Sequence, residues 1–200
     1  MSQEELQGWG HLRHGGLLLD TPRLRRLGEA TPAPLYNFYQ TDLRKRITAL
    51  LDAGEPRTAD ITSFANFLLG QVCGFNEAKG EWLRGPQVPP QWGRLAVTGE
   101  TIKPRQLWQG PQGALLPLFV DREKRLGIGR GRKSVSQVLQ WLRAGREQLA
   151  LVTNGRQWRL LFAGLDFDAW CEWDLDLWLE EGELSPQVDA LRALLQPNLW

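Results

Sequence analysis

One dipeptide constrains this chain more than any other feature: Asn154-Gly155, set between the apolar runs Leu149–Val152 and Trp158–Phe162. Asn-Gly tolerates the positive φ angles of a two-residue hairpin turn, so the two runs are predicted to be antiparallel neighbours. Upstream, Leu115–Val120 is a third apolar run, separated from them by a helical pattern. There Val135, Val138, Leu139 and Leu142 recur at helical spacing, with Ser134 placed to cap the first turn and Gln137 to reach back in a capping box. Arg94–Thr98 and Lys103–Trp108 read as earlier strands, the second joined to Leu115–Val120 through Gly110-Pro111-Gln112-Gly113. Ala169–Trp173 reads as one strand more, followed by short helical pieces at Leu175–Glu181 and Pro186–Leu195. The order β-β-β-α-β-β predicts an α/β domain with a mixed sheet.

Ahead of this core, Leu35, Phe38, Tyr39, Leu43, Ile47, Leu50 and Leu51 predict an amphipathic helix from Pro34 to Leu51, stopped at Gly54 and Pro56. A second helix is predicted from Asp60 through Gln71. From Phe75 to Gln91 the pattern gives way to Gly, Pro and charges, with Pro86 and Pro89-Pro90 opposed to regular pairing. The expected organisation is therefore a helical preface over 1–75, a loop over 76–92 and an α/β core with an acidic C-terminal segment over 93–200, together forming one unit. A chain of 200 residues that is 42% hydrophobic suffices for one good core. It has no run of about 18 apolar residues to span a membrane, and Glu4 and Glu5 ahead of the short patch at Gly15–Leu19 do not read as a signal peptide. A cytoplasmic chain without a membrane partner is expected. Cys73 and Cys171, without a Cys or His neighbour at ligand spacing, are expected to be reduced, buried and structural.

A net charge of +1 conceals a strong segregation. Residues 101–160 hold twelve basic groups against three acidic ones, a net +9, whereas residues 161–200 hold one against nine, a net −8. Such a dipole either closes on itself through surface ion pairs or presents a basic face to phosphate. Within the basic segment, Gly129-Arg130-Gly131-Arg132-Lys133 runs into the start of a helix, where side-chain charge and free backbone N–H groups together suit a phosphate.

Three segments in order, Arg125–Arg143 ("RLGIGRGRKSVSQVLQWLR"), Thr153–Leu160 ("TNGRQWRL") and Ala163–Glu183, resemble the nuclease-like domain of type I restriction subunits and of fused type IIG restriction-methylases, including those of DISARM-type phage-defence clusters. His14–Leu24 is similar to the lead-in of the same proteins. The resemblance implies a PD-(D/E)xK-like core, in which paired acids hold Mg²⁺ at a scissile phosphate and a Lys steadies the hydroxide. Carried onto this sequence, it implies catalytic roles for Asp121, Glu123 and Lys124, with Asp121 and Glu123 as metal ligands. The position of the first acid, however, reads Pro104-Arg105, and Glu123 stands where Lys is wanted. Gln137 and Trp141, one turn apart, are similar to the Gln-x-x-x-Tyr element beside the substrate in such nucleases, although capping accounts for Gln137 and core packing for Trp141 equally well.

The expectation is thus a DNA-engaging, catalytically degenerate module of a restriction-modification or phage-defence system. Its phosphate contacts are expected from Arg122, Arg130, Arg132, Lys133, Gln137, Arg156 and Arg159. Two alternatives stand beside it: an active Mg²⁺-dependent endonuclease, and an interaction domain whose acidic end, Asp166–Glu183, docks a partner subunit. No methyltransferase motif is present, so an adenine methyltransferase would be a separate domain or chain. Other constellations read more simply. The acids Asp166, Asp168, Glu172, Asp174 and Asp176 form the solvated face of a strand opposite Phe167, Trp170 and Trp173. Trp170, Trp173 and Trp178 lack the common period of a stacking platform and read as core. His11 and His14 have no acid at ligand spacing, and Gly127–Gly131 lacks the spacing of a dinucleotide loop.

Overall fold

The computed structural model describes residues 12–16, 33–180 and 182–197. His11 and residues 17–24 of the lead-in lie outside them. Along the chain run β1 (Arg13–Gly15), α1 (Asn37–Asp52), α2 (Thr58–Phe67), β2 (Glu81–Arg84), β3 (Arg94–Leu95), β4 (Thr101–Ile102), β5 (Gln106–Gln109), β6 (Leu115–Val120), α3 (Gly131–Arg143), β7 (Leu149–Thr153), β8 (Gln157–Ala163), β9 (Asp168–Asp174), β10 (Leu179–Glu180), β11 (Glu183–Leu184) and α4 (Pro186–Leu194). Seven strands form one mixed sheet in the order β1-β9-β8-β7-β6-β5-β2. All its pairings are antiparallel except β6 with β7, and α3 is the crossover that makes this parallel pair possible. The chain is therefore α/β with a mixed sheet, as its order of elements predicts.

Strand alternation divides the core between the two faces of the sheet. On one face Leu118, Leu151, Leu160, Cys171 and Trp173 meet Leu43 and Ile47 of α1, Phe64 and Ala65 of α2, and Val188 and Leu191 of α4. On the other, Phe119, Ala150, Val152 and Leu161 meet Val138, Leu139, Trp141 and Leu142 of α3. The helical preface has no core of its own: its apolar stripe is completed by the sheet. No helix among the described residues is long and apolar enough to cross a membrane.

Several details depart from the expectations. The segment predicted as a loop contains β2, an edge strand that pairs Trp82 with Trp108 and Leu83 with Leu107. Its four residues bond on one side only, which the flanking prolines permit. The strand predicted over Arg94–Thr98 shortens to β3 and pairs with β4 apart from the main sheet, so only two of the three strands expected before α3 belong to it. α2 ends at Phe67, short of the predicted Gln71, and the chain continues as a π-turn, Leu68–Val72, in which Gly70 packs against Asn76. The hairpin after β7 forms, but its central residues are Gly155 and Arg156. Gly155 takes the positive φ of 93°, and Asn154 acts through its side chain, Oδ1 accepting from the N–H groups of Arg156 at 3.1 Å and Gln157 at 2.7 Å.

Candidate nucleic-acid interface

The loop from Asp121 to Arg130 leaves the end of β6 and crosses the hairpin on the α3 face. Its course is fixed by hairpin side chains rather than by regular structure. Asn154 donates to the Glu123 carbonyl at 2.9 Å, Gln157 accepts from the Leu126 N–H at 2.8 Å, and Arg159 donates to the Leu126 carbonyl at 3.2 Å. The Leu126 side chain is fully buried. These bonds are the structural content of the sequence Thr153–Leu160. Asn154, Gln157 and Arg159 form a clamp that holds the loop onto the sheet.

Behind the clamp lies an ionic centre. Arg159, 7% exposed, donates through Nε and Nη2 to Glu172, itself 2% exposed, at 2.9 and 2.5 Å, and its guanidinium lies over the ring of Trp170 at 4.2 Å. Gln157 and Arg13 complete the coordination of the carboxylate at 3.3 and 2.5 Å. Two expectations are corrected here. Arg159, expected at a phosphate, is buried instead, because β8–β9 register places it opposite Glu172 inside the protein. Glu172 is not on a solvated face, and Trp170 shares that face with it instead of opposing it.

The remaining predicted residues separate into two groups. In the loop and the first turn of α3, Arg122, Arg125, Arg130 and Arg132 are exposed and form no side-chain ion pair among the described residues. Lys124 pairs with Glu55 at 3.1 Å and Lys133 with Glu100 at 2.9 Å, both in the open. Gln137 also donates to Glu100, which sits below the ordinary carboxylate range because Lys133 and then Gln137 hydrogen-bond to it. Arg156, by contrast, is turned away to Asp176 at 2.8 Å. Trp141 is core: it is buried, donates from Nε1 to the Trp92 carbonyl at 2.8 Å, and carries Arg94 over its face at 3.8 Å.

The helix start differs from the predicted one. α3 begins at Gly131, so Ser134 lies within its first turn and caps nothing, and Gln137 has no capping role. The N–H groups of Gly131, Arg132 and Lys133 are taken by the carbonyls of Ile128, Gly129 and Arg130 at 3.1, 3.3 and 3.1 Å. The helix start therefore offers a phosphate less backbone than expected, and the charge of the side chains carries the site.

Asp121 and Glu123 follow directly on the end of β6. Asp121 Oδ1 accepts the N–H groups of Arg122 and Glu123 at 2.7 and 3.3 Å, while Oδ2 is buried without a partner. Arg105, expected at the position of the first acid, is exposed, and its N–H donates to the Leu118 carbonyl of β6 at 2.8 Å. Among the described residues no group of three or more His, Cys, Asp and Glu converges. Mg²⁺ takes octahedral oxygen coordination from one or two carboxylates with waters and substrate phosphates, and here Asp121 Oδ1 is already engaged by two backbone N–H groups.

The charge dipole is partly closed internally. Arg143, Arg156 and Arg159 pair with Asp168, Asp176 and Glu172, while Arg13 and Arg44 take Asp174 and Glu183. The acidic segment is largely satisfied within the chain, and the basic loop is left over. Sequence reasoning did not single out Arg125 or the clamp function of Gln157; the only signal for the latter was its place in the hairpin. No family model, curated protein or solved structure matches this chain.

Proposed function

We propose that this chain is a DNA-engaging module, with a nuclease-like PD-(D/E)xK-related core and no assembled metal centre, serving a restriction or phage-defence system. The observation that carries the DNA-binding part is the clamped loop. Residues 121–133 hold six basic side chains against two acidic ones, and four of the guanidinium groups have no ionic partner among the described residues. Unpaired guanidinium groups offer charge-assisted donors to phosphate, and because hydrogen bonds hold the backbone that carries them, the ordering left for binding is that of the side chains. The mixed sheet with its β6-α3-β7 crossover is in keeping with a nuclease-like core, and the resemblance in the loop and hairpin segments supplies the defence context.

The alternatives have less support. Among the described residues no cluster of three or more ligands forms around Asp121, and five acids of the docking alternative, Asp168, Glu172, Asp174, Asp176 and Glu183, pair with arginines of the same chain. The test is binding of duplex DNA across a salt series. Each phosphate contact contributes about 0.9 to the log–log slope, so Arg130→Ala with Arg132→Ala lowers it by up to about 1.8. An unchanged slope and affinity in that double variant would overturn the proposal.

A further inference from the structure

The tip of the basic loop carries an apolar side chain where charge would be expected. Ile128 is 52% exposed, flanked by Gly127 and Gly129, both with positive φ, and followed by Arg130. The tip is a closed ring: the Gly127 N–H reaches the Gly131 carbonyl at 3.1 Å, and the Gly131 N–H reaches the Ile128 carbonyl at 3.1 Å. Immediately before it, Leu126 is fixed by Gln157 and Arg159. The result is a hydrogen-bonded, glycine-rich tip at which Ile128 and Arg130 are the exposed side chains.

We propose that this tip enters the minor groove of duplex DNA, with Arg130 inside the groove, Arg132 and Arg122 on the flanking phosphates, and Ile128 wedged against a base step. The proposal rests on the DNA-binding reading above and specifies its mode. Three features favour it. The minor groove is about 6 Å wide and accepts a thin loop, whereas the major groove, about 12 Å wide, suits a helix or a two-stranded ribbon. Gly129 leaves open space between Ile128 and Arg130, while Gly127 and Gly131 seat the base of the tip against the Arg159 guanidinium and the Arg125 carbonyl. Arginine is favoured by the strong negative potential of narrow A·T-rich grooves, and an apolar wedge next to it unstacks and kinks flexible steps such as TA. An exposed isoleucine among arginines gains nothing in water, but a wedge supplies it with apolar contact.

The experiment uses the full chain and an A·T-rich duplex carrying 2-aminopurine at a central TA step. Binding should brighten the probe, and a bis-benzimidazole minor-groove ligand should displace the protein. Ile128→Ser should lose the brightening yet keep the salt slope, and Ile128→Phe should restore it. Ile128 is exposed, so these variants leave the core untouched, and unchanged far-UV dichroism verifies this. Salt-dependent binding with no brightening and no displacement overturns the minor-groove mode while leaving the DNA reading intact. Absence of salt-dependent binding overturns both. So does loss, in Ile128→Ser, of binding to phosphatidylserine vesicles by a chain that ignores DNA, which would make the tip a lipid probe.

Discussion

Replacing Arg159 with Met separates the two roles this residue could have. In the structure its guanidinium has one ionic partner, Glu172, and one carbonyl, Leu126, and is 7% exposed. Removing one member of a buried ion pair costs about 3–5 kcal/mol, because the other charge stays buried with less compensation. Glu172 retains Arg13 and Gln157, which places Arg159→Met at the low end, about 3 kcal/mol. For a chain of this size that corresponds to a fall in Tm of about 6–12 °C. Typical domain stabilities of about 5–15 kcal/mol leave a folded variant to measure. Urea and thermal unfolding followed by tryptophan fluorescence give the loss directly. Replacing both partners, Arg159→Met with Glu172→Leu, should recover much of it, since an apolar pair avoids the desolvation of two charges. A single variant within about 1 kcal/mol of the parent that flattened the DNA salt slope by about 0.9 would refute the reasoning, because the guanidinium would then be contacting phosphate.

Glu100→Gln removes the ionic partner of Lys133 and should tighten DNA binding, with a salt slope steeper by up to about 0.9. Because hydrogen bonds from Lys133 and Gln137 hold the Glu100 pKa below its ordinary value, the pair should persist through neutral and mildly acidic pH. Its stabilising contribution should be lost only as pH falls through that depressed value, with Lys133 released over the same range; a carboxyl-carbon NMR titration reads the transition. Gly131→Ala would bring a Cβ to the Arg125 carbonyl, against which there is no room, so the loop must shift at a cost of about 1–3 kcal/mol and DNA affinity should fall. Equal affinity for parent and variant would show that the loop course is immaterial to binding. Neither thiol should react with an aromatic disulfide at pH 8 in the native state: both are buried, and burial pushes Cys73 up to about 12 and Cys171 higher still. Both should react in denaturant. Supercoiled plasmid incubated with Mg²⁺ should remain intact at high protein concentration, and nicking abolished by Asp121→Ala would restore the endonuclease reading.

The parts of the fold that sequence made legible are those determined by neighbours in the chain. The hairpin after β7 follows from Asn154-Gly155, and α3 from four apolar residues at helical spacing. β2 was hidden because the β5 residues it pairs with lie 22 to 28 positions downstream and its four residues carry too short a pattern to be read locally. The start of α3 was misplaced because the carbonyls of a preceding turn, not a Ser side chain, satisfy its first N–H groups. The candidate site divides in the same way. Arg130 and Arg132 could be assigned to the surface from their glycine neighbours. Arg159 and Glu172 were taken for surface charges because only the register of β8 against β9, thirteen residues apart in sequence, brings them face to face.

The single parallel pairing, β6 with β7, has a consequence for how the chain is made. Every residue of α1 and α2 leaves the ribosome before any of β7, β8 and β9, yet the apolar stripe of those helices is covered by Leu151, Leu160 and Trp173 from the later strands. A nascent chain ending before Leu149 therefore carries an uncovered stripe and an unpaired β6 edge, a combination that favours chaperone engagement and aggregation. The loop that bears the arginines acquires its anchors only after Gln157 and Arg159 have been synthesised. Ribosome-held chains ending at residue 148 and at full length, each followed by a linker long enough to clear the exit tunnel, should give protease-sensitive and protease-resistant forms of the Arg122–Arg132 region respectively, and equal sensitivity in both would contradict this order.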